Sequence, residues 1–176
     1  MDKYIFKKNK FLSCDECSYL INYFLNSNYQ DKDSIRNYTS VVGEINWNEF
    51  TFLKRKLIYC FEDYRKKHSF LKSLSWNINE QFNIQRYDIG KSYNGEHMEH
   101  GINEYDRTRI LGWMVYLNTI KNKGGTCWPQ QNFTSKPREG DLYIWPAAWT
   151  HSHYGISAPR ELKYIITGWC KLTNLT

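Results

Sequence analysis

The sequence predicts an α+β domain that is mostly β, with N-terminal helices packed against one outer face of a β-sandwich or open barrel. Three observations carry this. Helical periodicity is confined to residues 1–70. After Ser69, short segments rich in aromatic and β-branched residues alternate with Gly, Asn and Pro breakers. No strand, Gly-rich turn and helix follow one another, so a nucleotide-binding α/β fold is not expected. At 176 residues the chain can bury one core but is short for two. Residues 1–176 are therefore expected to form a single domain, with 1–70 as supporting helices and 71–176 as the β core.

Ser13 followed three residues later by Glu16 makes a capping box, and Leu12 is placed as a hydrophobic staple. Cys17, Leu20, Ile21, Phe24 and Leu25 then keep helical spacing up to Asn26-Ser27-Asn28. The polar stretch to about Ser40 reads as loop. A second helix is expected from about Asn46 to His68. Phe50, Leu53, Leu57, Phe61 and Tyr64 form its apolar stripe, with Lys54, Arg55, Glu62, Lys66 and Lys67 outside. Strands are expected near Phe82–Asp88, His97–His100, Ile110–Leu117, Gly125–Trp128, Gly140–Trp145, Thr150–His153 and Leu162–Leu172. Gly90, Asn94-Gly95, Asn122–Gly125, Pro137, Pro146 and Pro159 punctuate them.

Composition narrows the class. Seven Trp and fourteen Tyr mean that much of the core is built from rings. No apolar run is long enough to span a bilayer, and the N-terminus lacks a signal-peptide core, so a cytoplasmic protein without a membrane partner is expected. Five scattered cysteines fit reduced thiols better than a disulfide framework, and Cys14-x-x-Cys17 has no second pair to complete a zinc site. The net charge of +6 is spread out, and Arg65-Lys66-Lys67-His68 reads as a helix end suited to the helix dipole. That charge permits weak, non-specific attraction to nucleic acid without establishing it. Oligomeric state is not legible.

Four of the five histidines fall in two windows about fifty residues apart, Glu96–His100 and Trp149–His153. His97-x-Glu99 puts an imidazole and a carboxylate on one face of a strand. One more histidine completes the two-His, one-carboxylate set that holds non-haem Fe(II) with open positions. His151 and His153 share a face on strand parity, and either could supply it. His100 faces away from Glu99, and His68 is expected to be exposed. Lys163 lies ten residues after His153, inside the apolar run Leu162–Trp169. A buried lysine is costly unless it meets an anion, and one beside an iron site suits a dicarboxylate such as 2-oxoglutarate. Tyr87, on the preceding strand, is placed to offer its hydroxyl to the same carboxylate. Trp113, Trp145 and Trp149 are candidates for the cavity wall.

The order of motifs resembles the prolyl-4-hydroxylase-like Fe(II)/2-oxoglutarate dioxygenases. The resemblance rests on Arg86-Tyr87-Asp88-x-Gly90, His97-x-Glu99, Arg109 leading into Val115-Tyr116-Leu117-Asn118, and Gly124-Gly125-Thr126. Pro137-x-x-Gly140-Asp141, Trp145–His153, Lys163-Tyr164 and Trp169 continue it, over about residues 82 to 170. It implies a double-stranded β-helix, the jelly-roll or cupin-like barrel of two antiparallel sheets with helices on the larger one. It also implies that His97, Glu99 and His153 are iron ligands, His153 being preferred to His151 by its spacing from Lys163. Lys163 would then receive the outer carboxylate of 2-oxoglutarate, with Tyr87 as its hydroxyl partner. Two features depart from the pattern. Glu99 stands where the family has Asp, and Tyr87 lies one residue further from His97 than expected. Arg160 near Lys163 is a competing anion partner.

The activity implied is hydroxylation of a C–H bond using Fe(II), 2-oxoglutarate and O2, with ascorbate as an auxiliary reductant and with succinate and CO2 as co-products. A protein or peptide side chain, prolyl first, is the substrate the resemblance implies. The alternatives are the same chemistry on a nucleobase or small molecule, or a non-catalytic metal-binding β-sandwich.

Overall fold

The structure, a computed structural model, describes residues 2–28, 30–33, 38–41, 47, 49–78, 81–104 and 106–173. In chain order the elements are β1 (Phe6–Lys8), α1 (Cys14–Asn26), β2 (Gln30–Asp33), β3 (Tyr38–Val41), α2 (Thr51–Lys67), β4 (Trp76–Asn77), β5 (Asn83–Tyr87) and β6 (Arg109–Tyr116). They continue with β7 (Thr126–Trp128), β8 (Phe133–Thr134), β9 (Leu142–Pro146), β10 (Tyr154–Gly155) and β11 (Lys163–Leu172). Among the described residues the strands form an eight-stranded sheet in the order β1-β9-β6-β11-β5-β3-β2, with β4 also on β11, and a three-stranded sheet in the order β10-β7-β8. All pairings are antiparallel. Tyr116 reaches from the larger sheet to the hydroxyls of Ser135 (2.7 Å) and Thr126 (3.2 Å) on the smaller side. This is the double-stranded β-helix.

Period-two alternation divides the central strands. Leu111, Trp113 and Val115 of β6, Leu142 and Ile144 of β9, and Tyr164, Ile166 and Cys170 of β11 join Cys17, Leu20, Phe24, Leu53, Leu57 and Phe61 of the helices in one apolar cluster. Each such side chain contributes about 1.5–3 kcal/mol relative to exposure. Met114, Tyr116, Tyr143, Trp145, Ile165 and Tyr87 face the other way, into the barrel.

Helix α1 begins as expected. Ser13 Oγ accepts from the Glu16 N–H and Glu16 Oε2 accepts from the Ser13 N–H. Lys56 of α2 reaches Glu16 and joins the helices. The entry to α1 is pinned to the turn before β9, where Leu12 N–H donates to Gly140 O. Gly140 has a φ of 78°, and a Cβ there would meet Leu12 O at 2.2 Å, so only glycine fits.

Several expectations are corrected. Leu25 is about half exposed, at the margin of the α1 stripe. Helix α2 starts at Thr51; Trp47, Glu49 and Phe50 are in turns, and Asn46 lies outside the described residues. The polar stretch to about Ser40 contains β2 and most of β3, which pair antiparallel. Residues 97–100 are not a strand: only His97 pairs, in an isolated bridge with His153. Trp149–His151 is a 3₁₀ turn, so the expected strand at Thr150–His153 is absent. His68 is half-buried between the rings of Tyr4 and Tyr64, at 5.1 and 4.4 Å.

Candidate metal centre

The bridge between His97 and His153 brings the two windows together. The N–H of each donates to the carbonyl of the other, at 3.0 and 2.9 Å. The peptide N–H groups of Glu99 and His100 both donate to Ala147 O, and this turn swings the Glu99 side chain inward. Atoms of His97, Glu99 and His153 able to bind a metal ion lie within 4.8 Å of one another, the one such group among the described residues.

Hydrogen bonds orient each donor. His97 Nδ1–H donates to Gly95 O at 2.9 Å and His153 Nδ1–H to His151 O at 3.1 Å, so both lone pairs fall on Nε2. His153 Nε2 then faces Glu99 Oε1 at 3.2 Å. Two acceptors at that distance call for a cation or proton between them. Glu99 Oε2 is held by the indole N–H of Trp169 at 2.6 Å. Burial pushes the Glu99 carboxyl up, but the hydrogen bond and charge of His153, the charge of His97 and the Trp169 donor reverse this and hold it at about 2. Trp128 and Trp145 pack around the His153 ring at 5.6 and 5.0 Å and keep water from it.

His97, Glu99, His153, Trp145 and Trp169 line a cavity of about 640 Å³ that runs between the sheets. Lys163 stands in its wall, only 3% exposed. Its Nζ donates to Ile156 O at 3.3 Å and lies 4.6 Å over the ring of Tyr87, its partner across β11 and β5. No carboxylate faces it among the described residues, and burial alone pushes its ammonium down to about 8. A desolvated cation without a counter-ion fits an anionic ligand in the cavity. The Tyr87 hydroxyl donates to Gln85 Oε1 at 2.9 Å.

The sequence assigned some neighbours differently. His151 does not share a face with His153: the 3₁₀ turn directs it to Asp2, 3.5 Å away, and to the ring of Tyr4. His100 stays outside the group, its Nδ1–H donating to Arg109 O. Arg160 is exposed and does not line the cavity. Of the three tryptophans, Trp145 lines the cavity, Trp113 packs under the helices and Trp149 is exposed. Trp169 and Gln85 were not singled out for roles. Strand parity with Lys163 and Tyr87 would have found both.

The profile of the 2OG-Fe(II) oxygenase superfamily matches residues 82–171. A search of curated proteins returned no significant match. Among solved structures, the viral collagen prolyl hydroxylase of Paramecium bursaria Chlorella virus-1, bound to 2-oxoglutarate, superposes with a TM-score of 0.76 at 20% identity, over 97% of each chain. A Pseudomonas putida prolyl-4-hydroxylase gives 0.73 at 14% identity, over 97% of this chain and 94% of that one. A Trichoplax adhaerens prolyl hydroxylase, in complex with a hypoxia-inducible factor peptide, gives 0.71 at 17%, over 96% and 84%. The chain belongs to the 2OG-Fe(II) oxygenase superfamily, with the fold of the prolyl hydroxylases. It is thus a 2-oxoglutarate-dependent dioxygenase whose family uses Fe(II), and two imidazoles with one carboxylate suit that ion.

Proposed function

We propose that His97, Glu99 and His153 hold Fe(II), that Lys163 with Tyr87 beside it receives the outer carboxylate of 2-oxoglutarate, and that the substrate is a protein or peptide side chain, prolyl first. The observation that carries this reading is Lys163: a buried ammonium without a carboxylate partner, in the wall of the cavity that the three ligands enter. Iron with 2-oxoglutarate and O2 supplies oxidative decarboxylation to succinate and CO2, and the oxygen atom inserted into the substrate C–H bond. The chain's own groups bind, orient and exclude water. Lys163 fixes one end of the co-substrate by charge, and the Tyr87 ring supports the ammonium from below. Gln85 holds the Tyr87 hydroxyl. Met98 and Arg109 also line the cavity, where a peptide would enter. The peptide-bound Trichoplax relative of the same fold supports that substrate class. Ascorbate is the expected auxiliary reductant. Residues 1–176 act as one domain, and five free thiols suit a cytoplasmic setting.

Anaerobic addition of Fe(II) and 2-oxoglutarate should give a metal-to-ligand charge-transfer band, and admission of O2 should release succinate. Absence of both, with His153→Ala behaving like the parent, would sink the assignment. A peptide panel read by mass should show a gain of one oxygen. Gain on a nucleobase or small molecule alone would move the substrate class.

A further inference from the structure

We infer that this metal site is built for glutamate, and that Gly112 and Trp169 are positioning residues that set where the Glu99 carboxylate lands; the inference rests on reading His97, Glu99 and His153 as ligands. Glutamate carries its carboxylate one C–C bond, about 1.5 Å, further from the backbone than aspartate. The floor of the cavity accommodates that length. Trp169 of β11 lies opposite Gly112 of β6, and Gly112 lies opposite Trp145 of β9. A glycine thus separates two indoles in one cross-strand row.

Glycine inside a strand costs about 0.5–1 kcal/mol relative to alanine, so it needs a reason. Backbone conformation is not the reason, because Gly112 is not among the positive-φ glycines. Space is. A Cβ at Gly112 would stand 2.9 Å from Cε2 and Cζ2 of Trp145 and 3.0 Å from Cγ of Glu99. That Cγ is a methylene in glutamate, and an aspartate would already carry its carboxyl carbon there. Beyond it, the Trp169 N–H takes Oε2 at 2.6 Å and leaves Oε1 directed at His153. Gly112 therefore admits the longer side chain, and Trp169 stops its rotation. An aspartate at this position would set its carboxyl carbon over Gly112, end short of the indole and leave a gap in front of Trp169.

The test measures Mn(II) and Co(II) affinity, and the visible spectrum of bound Co(II), without 2-oxoglutarate or O2, so turnover is not the readout. Glu99→Asp should weaken binding about tenfold or more, and Gly112→Ala should weaken it in the parent. The double variant should bind no more tightly than Glu99→Asp alone, because the alanine methyl would meet the aspartate carboxyl carbon where it meets Cγ in the parent. Trp169→Phe keeps a ring beneath the Arg109 guanidinium, 3.7 Å away in the parent, but removes the donor. It should cost about tenfold in the parent and nothing further in Glu99→Asp. Glu99→Asp within about twofold of the parent, Gly112→Ala at parent affinity, or an equal Trp169→Phe loss in both backgrounds would overturn the inference. Unfolding of the metal-free variants checks their folding. If Gly112→Ala does not fold, the Trp169→Phe pair decides, and equal loss in both backgrounds overturns it. A parent that binds neither metal sinks the ligand assignment itself; a parent that binds well, with Trp169→Phe losing equally in both backgrounds, sinks only this inference.

Discussion

Alternate residues of β11 enter two different environments. Tyr164, Ile166 and Cys170 point into the apolar cluster beneath α1 and α2. Lys163, Thr167 and Trp169 point into the cavity, beside Glu99 and His153. Outward burial removes apolar surface from water and stabilises the fold. Inward burial desolvates a carboxylate that His153 and Trp169 compensate and an ammonium that no carboxylate faces, and the second costs stability unless a ligand compensates. One ten-residue strand therefore separates what holds the molecule together from what it does. Substitutions on its two sides should move different observables.

His153→Ala should have the largest effect on the inner side. Removing a ligand should cost more than the about 10–100-fold that loss of an outer-shell partner brings. Equilibrium dialysis of Mn(II) checks it, and parent-like binding would break the ligand assignment. On the outer side, Leu57→Ala should destabilise by about 2–5 kcal/mol and leave 2-oxoglutarate affinity unchanged, as denaturant unfolding and calorimetry would report. A parallel loss of affinity would mean that the two faces are coupled.

Lys163→Met reverses that sign. Co-substrate binding should weaken by about 1.5–3 kcal/mol, metal binding without co-substrate should persist, and the metal-free protein should gain about 1–3 kcal/mol. The sign follows from a folded ammonium held at about 8 against an ordinary 10.5. Between those values the unfolded chain binds the extra proton, so stability rises with pH there, and the full cost of burial is felt below pH 8. A destabilised Lys163→Met would show that the ammonium is compensated without ligand. The same pKa sets a smaller effect near neutrality. Above about pH 8 the free cavity holds a neutral amine, so the 2-oxoglutarate dissociation constant should rise, approaching tenfold per pH unit. A flat profile to pH 10 in the parent would contradict this.

What the sequence revealed follows the same division. The outer stripe of α2 and the Lys163 position were legible because helix and strand periodicities are local. His97 and Glu99 do come together with His153, but not on a strand as their spacing suggested: the segment is a turn around Ala147 O with one bridging residue. Parity failed outright at His151, because a 3₁₀ turn advances side chains differently. The β2–β3 pair was hidden because Gln30–Asp33 is polar and largely exposed, with no alternation to read. The slot at Gly112 depends on register across three strands, which no local pattern encodes.

The smallest effect isolates the division best. Ser13→Ala removes one arm of the capping box that starts α1, where Glu16 is also bound by Lys56. It should cost about 1 kcal/mol in thermal or chemical unfolding. The cap lies outside the barrel, yet the residue before it is tied through Gly140 to the turn that leads into β9, and β9 carries Trp145 to the cavity. If the sheet insulates its faces, Ser13→Ala should leave Mn(II) and 2-oxoglutarate affinities at parent values. A shift in either beyond about twofold would identify the Leu12–Gly140 contact as a route from helix start to site.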